Sequence, residues 1–229
     1  MTDENKKQAV TYAIGQLKKG RKDLEKIKRE AALRFGTGII KNADIIAAAP
    51  TLQLRKKPVR TLSGITTVAL MVKPDGSCSH GCIYCPFTGK AAKSYTGEEP
   101  AALRARDANY DPAKQVKIRL KQYVATGHPT EKCEVVVMGG TFLEMPAAYK
   151  QRFIKAIYES MNGKKAATLA TAKKANEKAK NRVIGLTIET RPDVCGKKQI
   201  DEMLGYGATR VELGVQHPDD RIYQLINRG

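Results

Sequence analysis

Apolar positions recur at helical spacing through the first fifty residues. Val10, Ile14 and Leu17, then Leu24, Ile27, Ala31 and Leu33, fall roughly one turn apart and predict helices over 5–19 and 21–35. Gly20 separates the two, and Gly36 and Gly38 end the second. Asn42 is placed to cap a short third helix, Ala43–Ala49, which Pro50 closes. From Gly64 the period changes. Residues 65–72 (ITTVALMV) form an apolar, β-branched run suited to a buried strand, Cys133–Met138 is a second buried strand, and Val183–Ile188 and Thr209–Leu213 read as a third and a fourth strand. Between them, helices are predicted from Pro112 to Ala125, from Pro146 to Met161 and over 197–205. The Ala/Lys-rich stretch 163–181 reads as an exposed helical excursion, and a last helix starts near Pro218. Strands alternating with helices imply βα units around a parallel sheet, and such sheets bind ligands at the carboxyl ends of their strands. Two regions result: a helical module over 1–54 and an α/β domain over 55–229, linked through Arg55–Arg60.

Composition narrows the class. Of 229 residues 41% are hydrophobic and 28% charged, enough apolar material for a core and too much for global disorder. No apolar run reaches the roughly 18 residues that would span a bilayer. The start, MTDENKKQAV, has no apolar stretch with a small-residue cleavage site, so an intracellular, cytoplasmic location is expected. Net charge is +18, with 15 Lys/Arg against 6 Asp/Glu in residues 1–60 and 7 Lys/Arg against Glu177 alone in 161–182. Such a field attracts polyanions by neutralising phosphates and releasing their counterions. RNA is the first expectation, a membrane surface the second, and a plain solvated basic surface the alternative. On the first reading Lys18, Lys19, Arg21, Lys22, Lys26, Lys28 and Arg29 are the candidate RNA contacts.

There are five cysteines, an odd number that argues against a disulfide framework. Cys78, Cys82 and Cys85 form a C-x3-C-x2-C array directly after the first predicted strand. Structural zinc usually takes four protein ligands, often as two separated pairs. Three thiolates in one short loop suit three irons of a cubane cluster instead, with the fourth iron open to a small molecule. The array resembles the radical S-adenosylmethionine signature. A zinc site with His80 as fourth ligand, or three packed thiols, are the other readings of the same loop. Cys133 and Cys195 read as packed free thiols.

Further motifs sit at the strand ends. Gly139-Gly140-Thr141 follows the second strand, Glu189 and Arg191 leave the third, and Gly214-Val215-Gln216 leaves the fourth, with Arg228 twelve residues later. In the radical superfamily the end of the second strand meets the amino acid part of S-adenosylmethionine and Arg228 matches a cofactor-contacting arginine, and Gln216 is placed to bond a ribose or carboxylate. Together these make Gly139, Gly140, Thr141, Glu189, Arg191, Gln216 and Arg228 the candidate cofactor contacts, with a plain turn at Gly139-Gly140 and a rim ion pair of Glu189 or Arg191 as the alternatives. More specifically, the chain resembles the Elongator catalytic subunit family of tRNA wobble-uridine carboxymethylating enzymes. The likeness runs through Lys57–Thr61, Ser94–Gly97, Glu99-Pro100, Arg106, Tyr110–Pro112, Met138–Phe142, Ile188–Asp193, Met203–Gly207, Glu212–Gln216 and Asn227–Gly229.

That resemblance implies a partial TIM-like (β/α) barrel of the radical S-adenosylmethionine type behind a basic helical tRNA-binding module. It also implies a 4Fe-4S cluster, S-adenosylmethionine, acetyl-CoA as co-substrate, an electron donor and tRNA as partner. A 5′-deoxyadenosyl radical would take hydrogen from the acetyl-CoA methyl group, and the carbon radical would add to C5 of the wobble uridine, leaving a carboxymethyl group after thioester hydrolysis. Lys132 matches a family lysine associated with acetyl-CoA, with a plain exposed loop lysine as the equal alternative. The sequence departs from the family in the three-residue gap between the first two cysteines, in Phe87-Thr88 after Pro86, and in His217 after Gln216. Four of the six βα units expected of the family are present, and the acetyltransferase-like domain would have to come from further chain or a partner. The alternatives are a radical enzyme on another substrate, of methylthiotransferase or porphyrinogen-oxidase kind, and a non-catalytic zinc-containing RNA-binding module.

Overall fold

The computed structural model describes residues 3–52, 54–75, 78–139 and 142–228. The chain divides into two compact units, Met1–Ser63 with Lys121–Pro129, and Gly64–Leu120 with Thr130–Gly229. The first unit thus takes in the link 55–63, beyond the expected boundary at 54. His128 gives the reason. Buried in that unit, it bonds the Lys56 carbonyl through Nε2 at 2.7 Å and the Thr61 hydroxyl through Nδ1 at 2.8 Å. Both ring nitrogens are satisfied when Nε2 carries the proton and Nδ1 accepts.

The first unit holds helices α1 (Asp3–Lys18), α2 (Leu24–Phe35) and α3 (Asn42–Ala48). Ala9, Val10 and Ala13 of α1 join Ile27 and Ala31 of α2 and Ile45 of α3 in one core, the stripe the sequence predicts. Asp23 caps α2 by accepting from the Lys26 N–H at 3.0 Å, and Gly36 ends it in the left-handed region at φ 60°. Asn42 does not cap α3. Its Oδ1 accepts instead from Lys28 Nζ at 2.9 Å, and Asp44 reaches back to the Lys41 N–H at 3.0 Å to close that end.

The second unit is built on four parallel strands in the order β1 (Thr66–Met71), β2 (Lys132–Met138), β3 (Arg182–Thr190) and β4 (Arg210–Leu213). The order never reverses, which is the topology of a partial TIM-like barrel and not of a doubly wound sheet. On β2, Cys133, Val135 and Val137 are buried while the residues between them are not, so the strand has one core face and one inner face. The core face packs with Leu186, Ile188 and the helix α6 (Ala147–Asn162) through Phe153, Ile154, Ile157 and Met161. The inner face carries Glu134, which accepts from Thr187 Oγ1 at 3.4 Å and Arg210 at 2.5 Å. Helices α5 (Pro112–Ala125), α8 (Lys197–Tyr206) and α9 (Asp220–Leu225) fall where the sequence puts them, whereas α7 (Leu169–Asn176), within the Ala/Lys-rich stretch, is not an exposed excursion because Leu169 and Ala172 are buried in the core. Helix α4 (Pro100–Asp107) was not foreseen: it buries only Ala101, Ala102 and Ala105, too small a stripe to register as amphipathic.

Two polar devices steer the chain toward the strand ends. Gln115 of α5 accepts from the Met71 N–H at 2.9 Å and donates to its carbonyl at 3.0 Å, acting as a one-residue extension of the sheet on the edge strand β1. Just beyond, Tyr149 OH accepts from the Lys73 N–H at 3.1 Å. Behind the sheet, Glu159 ties α6 to the turn before α7, taking Lys155 at 2.9 Å, Lys165 at 3.2 Å and the Ala166 N–H at 2.8 Å. Burial pushes this carboxyl up, but those three donors outweigh it and hold it at about 2. The stabilisation is therefore complete above the ordinary carboxylate value of 4.5 and lost as pH falls toward 2. Urea titrations between pH 6 and 2 should show stability falling across that window, and Glu159→Gln should flatten this part of the slope; an unchanged slope would contradict the clamp.

Candidate cofactor site

Four segments converge where the strands end. The cysteine loop leaves β1, Gly139 follows β2, Glu189 to Asp193 leave β3, and Gly214 to Gln216 leave β4. Cys78, Cys82 and Cys85 line one cavity of about 300 Å³ together with Tyr95, Glu189 and Arg228. Arg191, Gly214 and Gln216 line it too, so residues more than a hundred positions apart share one wall.

From Cys78 to Glu99 the loop has no helix or strand of its own, so its backbone groups need outside partners. They find them at the sheet's rim. Asn227 donates to the Gly81 carbonyl at 3.1 Å, the Ile83 N–H donates to Ile226 at 3.0 Å, and Lys93 donates to the His80 carbonyl at 2.9 Å. Glu144, on the turn after β2, accepts from both the Ser79 N–H at 3.3 Å and its hydroxyl at 2.7 Å.

Each cysteine faces its own cation. Arg191 donates to Cys78 Sγ at 2.8 Å, Arg228 stands 4.0 Å from Cys82 Sγ, and the Lys93 ammonium acts on Cys85. Burial pushes the Cys85 thiol up, with Lys93 pulling the other way. Arg228 also donates to Tyr84 OH at 2.9 Å and to the Gly214 carbonyl, yet its buried Nε–H has no hydrogen-bond partner among the described residues. A buried unsatisfied donor beside three thiols suits a bound, electron-rich group. Glu189 holds the floor, accepting from Tyr95 OH at 2.7 Å and the Gly139 N–H at 3.1 Å. Burial raises the Glu189 carboxyl against those two donors, and burial with the nearby carboxylate raises the Tyr95 phenol.

Most of the residues expected to bind the cofactor come together here. Gly139, Glu189, Arg191, Gln216 and Arg228 lie at or around the cavity; Gly140 and Thr141 lie outside the described residues. Arg191 differs from expectation in its partners, because its donors go to the protein. His80, the fourth ligand of the zinc reading, bonds Asp193 through Nε2 at 3.2 Å. Among the described residues no three His, Cys, Asp or Glu side chains close up as the ligand set of a single metal ion. Cys133 is fully buried, donates to the Thr130 carbonyl and is pushed by burial to about 12, as a packed thiol should be. Lys132 is elsewhere. It is exposed at the foot of β2 beside Arg182, about six strand steps or roughly 20 Å from the cavity end. Sequence reasoning missed Tyr95, Glu144, Lys93 and Asp193 as parts of the site; Lys93 and Tyr95 belong to the loop itself, whereas Glu144 and Asp193 reach it only through the long-range fold.

Of the seven candidate RNA contacts, on the end of α1, the turn after it and α2, Lys18, Lys19, Lys22, Lys26 and Arg29 are exposed. Arg21 instead makes a two-pronged pair with Glu30 at 2.7 and 2.8 Å. Lys28 is 7% exposed and held by Glu25 and Asn42, so both are structural ties.

Residues 73–229 match the Radical SAM superfamily. The chain is 51% identical over 174 residues to a tRNA uridine(34) acetyltransferase of Dehalococcoides mccartyi, covering 76% of this chain and 38% of that one. It is 45% identical over 224 residues to the tRNA uridine(34) acetyltransferase of Methanocaldococcus jannaschii (91% and 41%), and 39% identical over 226 residues to human Elongator complex protein 3 (90% and 41%). Among solved structures it is similar to an N-terminally deleted Elp3 of Methanocaldococcus infernus, with TM-score 0.58 and 37% identity, covering 72% of this chain and 32% of that one. The chain thus spans about two-fifths of the length of the curated relatives it matches.

Gly139 provides a test of the cavity floor. At φ 130° its backbone disfavours a side chain, and an added Cβ would lie 2.5 Å from Val72 Cγ2. Gly139→Ala should cost about 2 kcal/mol, lowering Tm by roughly 4–8 °C; a melt that matches the unsubstituted protein would show the geometry to be wrong.

Proposed function

Because the chain belongs to the radical SAM superfamily, we propose that Cys78, Cys82 and Cys85 hold its 4Fe-4S cluster and that it acts on tRNA, installing a carboxymethyl group from acetyl-CoA at C5 of the wobble uridine. The observation that carries this reading is that three thiols of one loop line a single cavity at the carboxyl end of a parallel half-barrel. The printed name of the relatives from Dehalococcoides mccartyi and Methanocaldococcus jannaschii, tRNA uridine(34) acetyltransferase, supports the same substrate class.

When bound, the cluster and S-adenosylmethionine supply a carbon radical strong enough to take hydrogen from an unactivated methyl group, which ordinary acid–base side chains cannot do. The protein's part is to bind and orient. Gly139, Gly140 and Thr141 let backbone approach the amino acid part of the cofactor. Gln216 and Arg228 flank its other side, and the Arg228 Nε–H is the donor left for it. Glu189, fixed by Tyr95 and Gly139, offers its second oxygen. Tyr84 and Phe87 are exposed apolar rings on the cysteine loop, suited to stack on a splayed-out base. Lys132, with Arg182 beside it, suits the phosphates of acetyl-CoA at the foot of the sheet. Lys18, Lys19, Lys22, Lys26 and Arg29 grip tRNA phosphates, while the electron comes from an external donor.

Anaerobic reconstitution of the full chain should give roughly four irons and, after reduction, release of 5′-deoxyadenosine from S-adenosylmethionine. Cys82→Ser should lose the cluster while keeping tRNA binding; a full cluster signal in that variant would refute the ligand assignment. In filter-binding or anisotropy titrations, Glu at Lys18, Lys19, Lys22 and Arg29 should weaken tRNA binding and reduce the log–log salt slope by about one per lost phosphate contact. Unchanged affinity would move the RNA contacts off α1 and α2.

A further inference from the structure

An arginine has five N–H donors in a fixed planar fork and no acceptor. Arg191, 5% exposed, uses them all on protein. Nε donates to Asp193 Oδ1 at 2.9 Å, and one terminal nitrogen donates to Cys78 Sγ at 2.8 Å and Glu144 Oε2 at 2.8 Å. The other terminal nitrogen donates to Ser79 Oγ at 2.9 Å and Asp193 Oδ2 at 2.6 Å. No donor remains for a cofactor carboxylate or ribose.

We propose that Arg191 is a positioning residue for Cys78, a cation locked against the first ligand's sulfur to favour the reduced state of the group the three cysteines hold, and not a contact of S-adenosylmethionine. The inference rests on the reading of Cys78 as a cluster ligand. The guanidinium cannot swing away, because Asp193 grips it in a two-pronged pair and Glu144 and Ser79 fix the remaining edge. Ser79 adjoins Cys78, and Glu144 bonds Ser79 through its other oxygen, so the same fan that faces the sulfur also sets the loop backbone. His80 closes the ring by bonding Asp193. Hydrogen bonds to the sulfurs and local charge are among the features that set an iron–sulfur potential. One electron from the external donor makes the cysteine-bound group more negative by one charge. A fixed positive charge at hydrogen-bond distance from one of its sulfurs stabilises that product over the oxidised state, and burial limits screening of the effect.

The test is a redox titration of the anaerobically iron- and sulfide-reconstituted full chain, followed by electron paramagnetic resonance, on the unsubstituted protein, Arg191→Gln and Arg191→Lys. S-adenosylmethionine affinity is measured on the same samples by equilibrium dialysis. Arg191→Gln should load iron yet show at least a tenfold lower ratio of reduced to oxidised cluster at fixed potential, equal to about 59 mV for one electron. Arg191→Lys, which keeps the charge and loses the fork, should fall between, with cofactor affinity within about threefold of the unsubstituted chain in both. A ratio unchanged in iron-loaded variants overturns the proposal, and so does lost cofactor affinity at unchanged potential, which would make Arg191 a cofactor contact. If Arg191→Gln fails to fold or load, Arg191→Lys decides by the same two readings. Failure of the unsubstituted chain to take up iron would sink the cluster reading instead, a separate result.

Discussion

A loop without secondary structure must find partners for its backbone, and here they come from the ends of other strands and from α9. Asn227 and Ile226 hold Gly81 and Ile83, Glu144 holds Ser79, and Arg191 of the β3 end faces Cys78. The cysteine loop is therefore shaped by the sheet rather than by its own sequence. Removing any one strand end would release part of the loop, which is why the three thiols, the glycine after β2 and the buried carboxylate after β3 form a single site. The parallel order of the strands makes this possible by bringing every strand's carboxyl end to the same rim.

Charge is organised separately in the two units. In the second, Arg191, Arg228 and Lys93 are turned toward the three cysteine sulfurs in a partly buried cavity. In the first, Lys18, Lys19, Lys22, Lys26 and Arg29 are exposed, while Arg21 and Lys28 are spent on Glu30, Glu25 and Asn42. Thus a formal charge of +18 mixes cations that steer, cations that hold the fold and cations that face the cavity.

Much of this was legible in the sequence because it is local. The helical stripe of Val10 and Ile27, the four β-branched runs and the C-x3-C-x2-C spacing each lie within a few residues, and each has its counterpart in the structure. What escaped was long-range or small. Helix α4 buries only alanines, so it has no apolar stripe to read. Asn42 looks like a cap, yet Lys28 from another helix takes its oxygen. Glu144 carries no motif, and Asp193, though it ends the family-like stretch Ile188–Asp193, carries no role in it; both roles exist only once the turn after β2 and the end of β3 meet around Arg191. Arg191 itself was visible as a strand-end residue, but the use of its five donors was not.

On the function proposed here, three thiols bind one iron–sulfur cube whose remaining corner takes S-adenosylmethionine. Electron paramagnetic resonance of the reduced, iron-loaded chain, recorded before and after adding S-adenosylmethionine, tests it most directly. A spin-one-half iron–sulfur signal whose g-values shift on addition is the predicted result. A signal indifferent to the cofactor, or a protein that holds zinc and gives no iron signal, would contradict it.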